Sequence, residues 1–303
     1  MNKQTNEILG IFEQFRMSPT PLDQYHQVGK SLLAQKIDAY VASHSTINFV
    51  MLGYPMKSSN DRDKVIGKLP DLAEEVSLKN FERFNKLVKE IYSPGVNINI
   101  VNDGYVFNDL LEVEDRTVAE YQEISTDMGK DAPMLWWNLM DFYGKKHGSL
   151  SSMRGAVMED FGVTNQELER RILMDPDVNF LYRGMIRFMM EELAVKSFPS
   201  GNQLQKAAKV LTRNMMMRNE AYSNLVKKEF SSHIRLSMHP SINNGAKYSF
   251  QLIPGEKAFR SPWHCALYID QEGQYVTVHK KEAEQQGLHL VMKDNRPYYY
   301  TSK

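Results

Sequence analysis

The sequence contains a single cysteine, Cys265, which excludes an intramolecular disulfide and any site built from several thiolates. It has no excess charge of either sign. With 37 Lys and Arg against 37 Asp and Glu, no overall field draws it to nucleic acid or to an anionic lipid surface. Long apolar runs are also missing: stretches such as Ile47 to Leu52 have the length of a strand and fall short of the roughly 20 residues needed to cross a bilayer. The opening, MNKQTNEILGIFEQF, lacks the basic flank, apolar stretch and small-residue cleavage site of a secretory signal. Nor does any repeat, low-complexity tract or Pro/Gly/Ser-rich linker divide the chain. Together these absences predict a cytoplasmic setting, with neither nucleic acid nor membrane as partner.

What is present is an ordinary globular balance, 42% hydrophobic and 24% charged over 303 residues, enough for a substantial core. We read one domain over 1–303, with a largely helical segment at about 115–230. Leu22 to His44 carries Tyr25, Val28, Leu32, Ile37 and Val41 close to a 3.6-residue period, which predicts a helix. Ile47 to Leu52, ended by Gly53 and Pro55, reads as a buried strand feeding a loop. Ser77 is expected to cap a helix containing Leu78, Phe81, Phe84, Val88 and Ile91, which Pro94-Gly95 stops before a second strand, Val96 to Val101. Strand, loop, helix, strand is the order of parallel α/β folds. In the helical segment, Thr164 with Glu167 and Asp175 with Pro176 mark helix starts. After Phe230 the period changes to two. Ile234 to His239, Lys247 to Ile253, Trp263 to Asp270, Gln274 to Val278 and His289 to Met292 are expected strands, and whether they extend the first sheet or form a second is left open.

Ligands of open α/β sheets bind beyond the carboxyl ends of strands, so the loop Gly53-Tyr54-Pro55-Met56-Lys57-Ser58-Ser59-Asn60 draws attention. Lys57 and Ser58 there suit an anion, although a solvated turn would look the same and no Walker or GxGxxG pattern is present. Asp71, Glu74 and Glu75 read as surface charges beside a helix start. Asn102-Asp103-Gly104 reads as a hairpin turn, or alternatively Asp103 and Asp109 supply an acid or base to the crevice of Lys57. Arg183, Arg187 and Glu191 share one helix face, either as a solvated ladder or as an arginine clamp for phosphate or carboxylate. Alternation puts Arg235, Ser237 and His239 on the polar face of their strand, and His264 opposite Trp263 and Cys265 on another. His233, His239 and His264 lack the spacing of a zinc site or an iron triad, so no metal is expected.

Several blocks, taken together, resemble the isocyanide (isonitrile) synthases of the pyoverdine/dityrosine biosynthesis family. They are GYPMKSSNDRDKVIGKLPDLAEE (Gly53 to Glu75), NDGYVFNDLL (Asn102 to Leu111), LYRGMIRFMMEEL (Leu181 to Leu193), RNEAYSNLV (Arg218 to Val226), IRLSMHPS (Ile234 to Ser241) and SPWHCALYID (Ser261 to Asp270). Ser59 stands where the family resemblance leads one to expect proline, and Glu112 where glycine is frequent. The resemblance implies a Rossmann-like mixed sheet with helices, a helical middle segment and a strand-rich C-terminal third. It also implies a carbon–carbon lyase-type enzyme that converts the α-amino group of L-tyrosine, or of L-tryptophan, into an isonitrile. Ribulose 5-phosphate would be the co-substrate that supplies the carbon, no cofactor would be needed, and a tailoring oxygenase would act downstream. On this basis Lys57, Ser58 and Arg183 or Arg187 are assigned to the phosphate, and Arg235, with Ser237 on the same strand face, to the amino-acid carboxylate. Asp103, Asp109, His239 and His264 are candidates for acid and base, with Lys57 as a less favoured covalent catalyst. An aromatic pocket from Tyr54, Phe107, Trp136, Trp137 or Trp263 would select the amino acid. An iron-dependent oxygenase and an amino-acid or sugar-phosphate binding module are the rival readings.

Overall fold

A computed structural model describes residues 2–17, 23–239, 246–255 and 260–302. Leu22, Pro240 and Ser241, which belong to the blocks read above, lie outside the described residues. The chain runs through α1 (Lys3–Gln14), a π-helical turn at Tyr25–Gly29, α2 (Lys30–Ala42), β1 (Ile47–Leu52), α3 (Leu72–Ile91) and β2 (Val96–Val101). Next come α4 (Gly104–Phe107), α5 (Asp115–Met128), β3 (Met134–Trp137), α6 (Leu139–Tyr143), α7 (Leu150–Phe161), α8 (Asn165–Met174), α9 (Pro176–Leu193) and α10 (Gly201–Glu229). The last part holds β4 (Ile234–Ser237), β5 (Tyr248–Ser249), β6 (Ala266–Ile269), β7 (Tyr275–Val278), α11 (Lys280–Gln285), β8 (His289–Lys293) and β9 (Arg296–Thr301).

Five parallel strands form the main sheet in the order β3-β2-β1-β4-β5. The expected mixed α/β fold, with its helical middle and strand-rich end, is therefore what the structure has. Helices cover both faces, which is why β1 reads as a nearly continuous apolar run. On one face Phe49, Met51, Ile98, Ile100 and Leu236 pack against Phe12 of α1, Leu33 of α2 and Phe81 and Phe84 of α3. On the other, Val50 and Val101 share a core with Tyr222, Leu225 and Val226 of α10. The chain builds outward from β1 to β2 and β3, then crosses back through α6 to α10 to place β4 on the opposite side of β1. The order of the sheet thus reverses between β1 and β4, the position at which open α/β sheets hold their ligands.

β4 and β5 extend the first sheet, whereas β6 to β9 form a second one in the order β7-β6-β9-β8. That second sheet sits against the start of α3, where Leu267 meets Ala73 and Val76. Trp263 and His264 lie in a 3-10 turn (Pro262–His264) that precedes β6 and not in the strand itself. Two more differences follow from local geometry. Asp71, not Ser77, caps α3: its carboxylate accepts from Ala73 N, while Glu74 accepts from Asp71 N to complete a capping box. Ser77 lies inside the helix and donates to Glu74 O. The π-turn adds a residue to the repeat ahead of α2, so Leu33 is buried and Val28 is exposed where a plain 3.6 period buries Val28 and Leu32.

Asn102-Asp103-Gly104 is not a hairpin turn, since Gly104 opens α4 directly behind β2. Here the β2 loop comes very close to the β1 loop: a Cβ on Gly104 would lie 2.2 Å from Pro55 O and 2.7 Å from Val118 Cγ1. Backbone and a buried valine cannot yield cheaply. Gly104→Ala is therefore expected to lower stability by about 1–3 kcal/mol in urea denaturation; an unchanged midpoint would show that the two loops separate freely.

Candidate active-site crevice

The loop leaving β1 begins with strain. Tyr54 has a φ of 55°, a left-handed conformation that a bulky side chain seldom adopts and that costs on the order of 1–3 kcal/mol. Its surroundings enforce it. The fully buried phenol is 2.8 Å from Ser77 Oγ, its ring meets Trp136 and Trp263 at 5.5 and 5.2 Å, and Asn102 Nδ2 donates to its carbonyl. Asn102 Oδ1 in turn accepts from Gly104 N at 2.8 Å and Gln122 Nε2 at 2.6 Å, so the β1 and β2 loops are locked together.

Lys57, next along the loop, is buried among acids. Its ammonium lies 2.8 Å from Asp71 Oδ2 and 2.7 Å from Glu74 Oε2, and donates to Pro262 O at 3.0 Å. Burial opposes the charge, but the two carboxylates outweigh it and hold Lys57 above its ordinary value. For Asp71 burial dominates and pushes the carboxyl up, with Glu74 adding to the effect against the pull of Lys57. Tyr121 OH donates to Glu74 Oε1 at 2.9 Å. Of the three acids read as surface charges, Asp71 and Glu74 are thus interior groups, both paired with Lys57, while Glu75 stays partly exposed and pairs with Lys79 and Lys293.

Ser58 is likewise committed. Its hydroxyl lies 2.8 and 2.7 Å from the two oxygens of Glu192, a wholly buried carboxylate of α9 that also accepts from Ser59 N, Ser59 Oγ and Lys64 Nζ, each at 3.0 Å. Burial alone would raise Glu192, but His264, Lys64 and Ser58 hold it below the usual carboxylate range. Glu191 pairs with Lys64 at 2.7 Å. His264 stands at the edge of this cluster, with Nδ1 2.8 Å from Ser261 Oγ and its ring 5.0 Å from that of Phe188. Burial pushes His264 down to about 4, against the pull of Glu192 and with help from Lys64 and Lys57. At neutral pH it is an uncharged imidazole that can accept a hydrogen bond.

The other candidates are spread around this loop. Asp103 sits at the end of β2 with Oδ1 buried and without a hydrogen bond, and burial pushes it up to about 7. That makes it an acid or base poised for neutral pH. Asp109 is exposed, gripped by Arg218 at 2.5 and 2.9 Å, and held below its ordinary value despite burial of part of the group. Arg183 and Arg187 lie on the exposed side of α9, and neither forms an ion pair among the described residues, so of the two readings the ladder with Glu191 is absent, Glu191 pairing with Lys64. Arg235 donates to Ser223 O at 3.2 Å and Ser223 Oγ at 2.9 Å; Ser237 Oγ accepts from His239 N at 3.1 Å. Tyr54 and Trp263 are core residues and Phe107 is buried with the α10 core; Trp137 stacks on Phe142, with its indole donating to Asn99 Oδ1 at 3.0 Å. Among the described residues no three His, Cys, Asp or Glu side chains are grouped to hold a metal, and no helix is long and apolar enough to cross a membrane.

Glu112, where glycine was expected, has a φ of 56°, which explains why glycine suits that position. Sequence reasoning missed Asp71, Glu74, Lys64 and Glu192. The first two carry a signal, Asp-x-x-Glu behind Pro70. Glu192 carries a fainter one, three residues beyond Met189 on the stripe Tyr182, Ile186, Met189 that α9 buries.

A parallel sheet whose strand order reverses between β1 and β4 defines the class: an open α/β protein, of the kind whose ligands bind beyond the strand carboxyl ends. The chain belongs to the pyoverdine/dityrosine biosynthesis protein family, whose model matches residues 37–291. Among similar proteins are L-tryptophan isonitrile synthase AmbI2 of Fischerella ambigua, 28% identical over 88% of this chain and 81% of that one, and an L-tyrosine isonitrile synthase of Xenorhabdus nematophila, 27% identical over 93% and 86%. The crystal structure of the PvcA protein of Pseudomonas aeruginosa has the same fold, with a TM-score of 0.90, 24% identity and 99% of both chains covered.

Two measurements test the electrostatics. Lys57→Met strands two buried carboxylates and is expected to cost about 3–5 kcal/mol of stability in chemical denaturation; a cost under about 1 kcal/mol would mean that water reaches them. Asp103 has a folded value above its unfolded one of about 3.9, so the native state holds the extra proton between the two. Stability relative to Asp103→Asn should accordingly fall as pH rises from about 4 to about 7, by no more than about 1.4 kcal/mol per unit. A difference that does not vary with pH would rule out the raised value.

Proposed function

We propose that the protein is an isonitrile synthase that converts the α-amino group of an aromatic L-amino acid into an isonitrile, taking the carbon from C2 of ribulose 5-phosphate. The observation that carries this reading is the family match over residues 37–291, joined by relatives named as L-tryptophan and L-tyrosine isonitrile synthases. L-Tyrosine is our first substrate and L-tryptophan the second. The enzyme would be of the carbon–carbon lyase type, would work in the cytoplasm without a cofactor, and would pass its product to a tailoring oxygenase.

The chemistry needs proton carriers with staggered affinities. The amine must be deprotonated to attack the ketone, the adduct must lose water to give an imine, and carbon–carbon cleavage with phosphate loss must follow. His264, neutral at pH 7 but held down to about 4, is too weak a base to take a proton from an ammonium and is assigned to accept a hydrogen bond from the free amine. Asp103, poised at about 7 on the other side of the β1 loop, suits donation to the departing oxygen and later return. His239 is a candidate base, on the β4 side of the crevice. Lys57 works from within its carboxylate cage, fixing the loop rather than forming a Schiff base, because a caged ammonium above its ordinary value is a poor nucleophile. Asp109, held in its arginine pair, shapes the α4 end of the crevice. Arg183 and Arg187 remain available to an anion approaching over α9.

The test is a mass-spectrometric assay of purified, chelator-treated protein with L-tyrosine or L-tryptophan and ribulose 5-phosphate labelled with carbon-13 at C2. We expect an amino-acid-derived isonitrile that carries the label. Turnover only after ferrous iron is restored would favour an oxygenase, and saturable binding without turnover a binding module.

A further inference from the structure

The sheet places two cations side by side. Parallel register pairs Leu236 with Tyr248 and Ser237 with Ser249, so one residue earlier Arg235 stands opposite Lys247, about 5 Å away across the strands. Alternation puts Arg235 and Ser237 on one face of β4; Lys247, just before β5, is close enough for the charge of Arg235 to act on it, and His239, in the bend after β4, feels that of Lys247 and donates its N–H to Ser237 Oγ. Arg235 is itself registered with Val50 of β1, so the pair lies beside the point where strand order reverses. Like charges at opposed positions repel and destabilise a sheet. The contacts of the Arg235 guanidinium, the carbonyl and hydroxyl of Ser223, are neutral, and no ion pair reaches it among the described residues. Burial and the charge of Arg235 push Lys247 down to about 8, and burial with Lys247 holds His239 below its ordinary value.

The β1 loop has the opposite sign. Lys57 and Lys64 there face Asp71, Glu74, Glu191 and Glu192, an excess of carboxylate that repels a further anion. This loop, the place first expected to hold phosphate, therefore does not suit it. We propose that Arg235 and Lys247, with Ser237 and His239, form a subsite for a phosphate monoester dianion. Resting on the reaction proposed above, its occupant there is the phosphate of the sugar. A carboxylate carries one charge and is satisfied by the arginine fork alone, whereas a phosphate carries about −1.5 to −2 and three acceptor oxygens, which match an arginine, a lysine and a hydroxyl together.

The test measures binding of inorganic phosphate, ribulose 5-phosphate and phosphate-free ribulose by calorimetry to the intact protein and to Lys247→Met, Lys247→Arg and Arg235→Met. Lys247→Met should weaken both phosphates by about tenfold or more and leave ribulose unchanged. Its KM for the sugar phosphate should rise while that for the amino acid does not. Lys247→Arg should bind like the intact protein. Equal phosphate affinity in Lys247→Met and the intact protein overturns the subsite, as does a lowered melting temperature accompanied by loss of ribulose binding. Should phosphate binding depend on Lys247 while no isonitrile forms, the subsite stands and the reaction falls. Should isonitrile form with an unchanged KM in Lys247→Met, the reaction stands and the subsite falls.

Discussion

Burying charge around the β1 loop is the constraint on which the rest of the site depends. An isolated ion in the interior costs several kcal/mol after relaxation, so each must find an opposite charge and fill its remaining hydrogen bonds. Lys57 meets this demand through the first turn of α3, and Glu192 through Ser58, Ser59 and Lys64. Because these partners come from α3, α9 and the β1 loop, none of the three can shift alone. The left-handed backbone of Tyr54 persists for the same reason: neighbours on α3, β3 and the β2 loop hold it from several sides.

The second sheet is recruited by this network. Lys57 donates to Pro262 O, Ser58 N to Trp263 O at 2.8 Å, and the carbonyls of Lys64 and Asp63 accept from Lys280 N and Lys281 N at 3.1 and 3.0 Å. The loop is thus sandwiched between the carboxyl end of the parallel sheet and the start of α11. His264 is brought to Glu192 by that docking and not by its own strand, which begins two residues later at Ala266. His264 precedes the second sheet and Asp103 follows β2 of the first, so the two candidates come from different sheets.

The parts legible in the sequence were those governed by local rules. β1 and β2 announced themselves as β-rich runs, one ended by Gly53 and Pro55 and the other preceded by Pro94-Gly95, and Thr164 and Asp175 as caps, because composition and capping act over a few residues. The phase of α2 was not legible, since one π-turn rotates every later residue and leaves no compositional mark. β3, Met134 to Trp137, was lost inside a helical segment because four residues show no period and only pairing with β2 makes them a strand. β9 was missed because its hairpin turns on Asp294-Asn295, both left-handed, without the glycine that usually marks such turns. The site fared similarly. Lys57, Asp103 and His264 were named from their positions at element ends, but their partners Asp71, Glu74 and Glu192 lie 14, 17 and 135 residues from Lys57, and sequence cannot say which of many acids turns inward.

The two sides of the crevice differ in sign for a structural reason. Carboxylates at a helix start are favoured by its dipole, and α3 delivers Asp71 and Glu74 to the β1 loop in that way, so the acidic character of this side follows from how the loop meets α3. β4 and β5, by contrast, are short strands, β4 paired with β1 and β5 at the sheet's edge, and they bring Arg235 and Lys247 to the other side of the point where strand order reverses. A substrate pair in which one member is a dianion and the other must lose an ammonium proton is served by such a division. On the reaction proposed above, the phosphate would go to the cationic side and the ammonium to the anionic one.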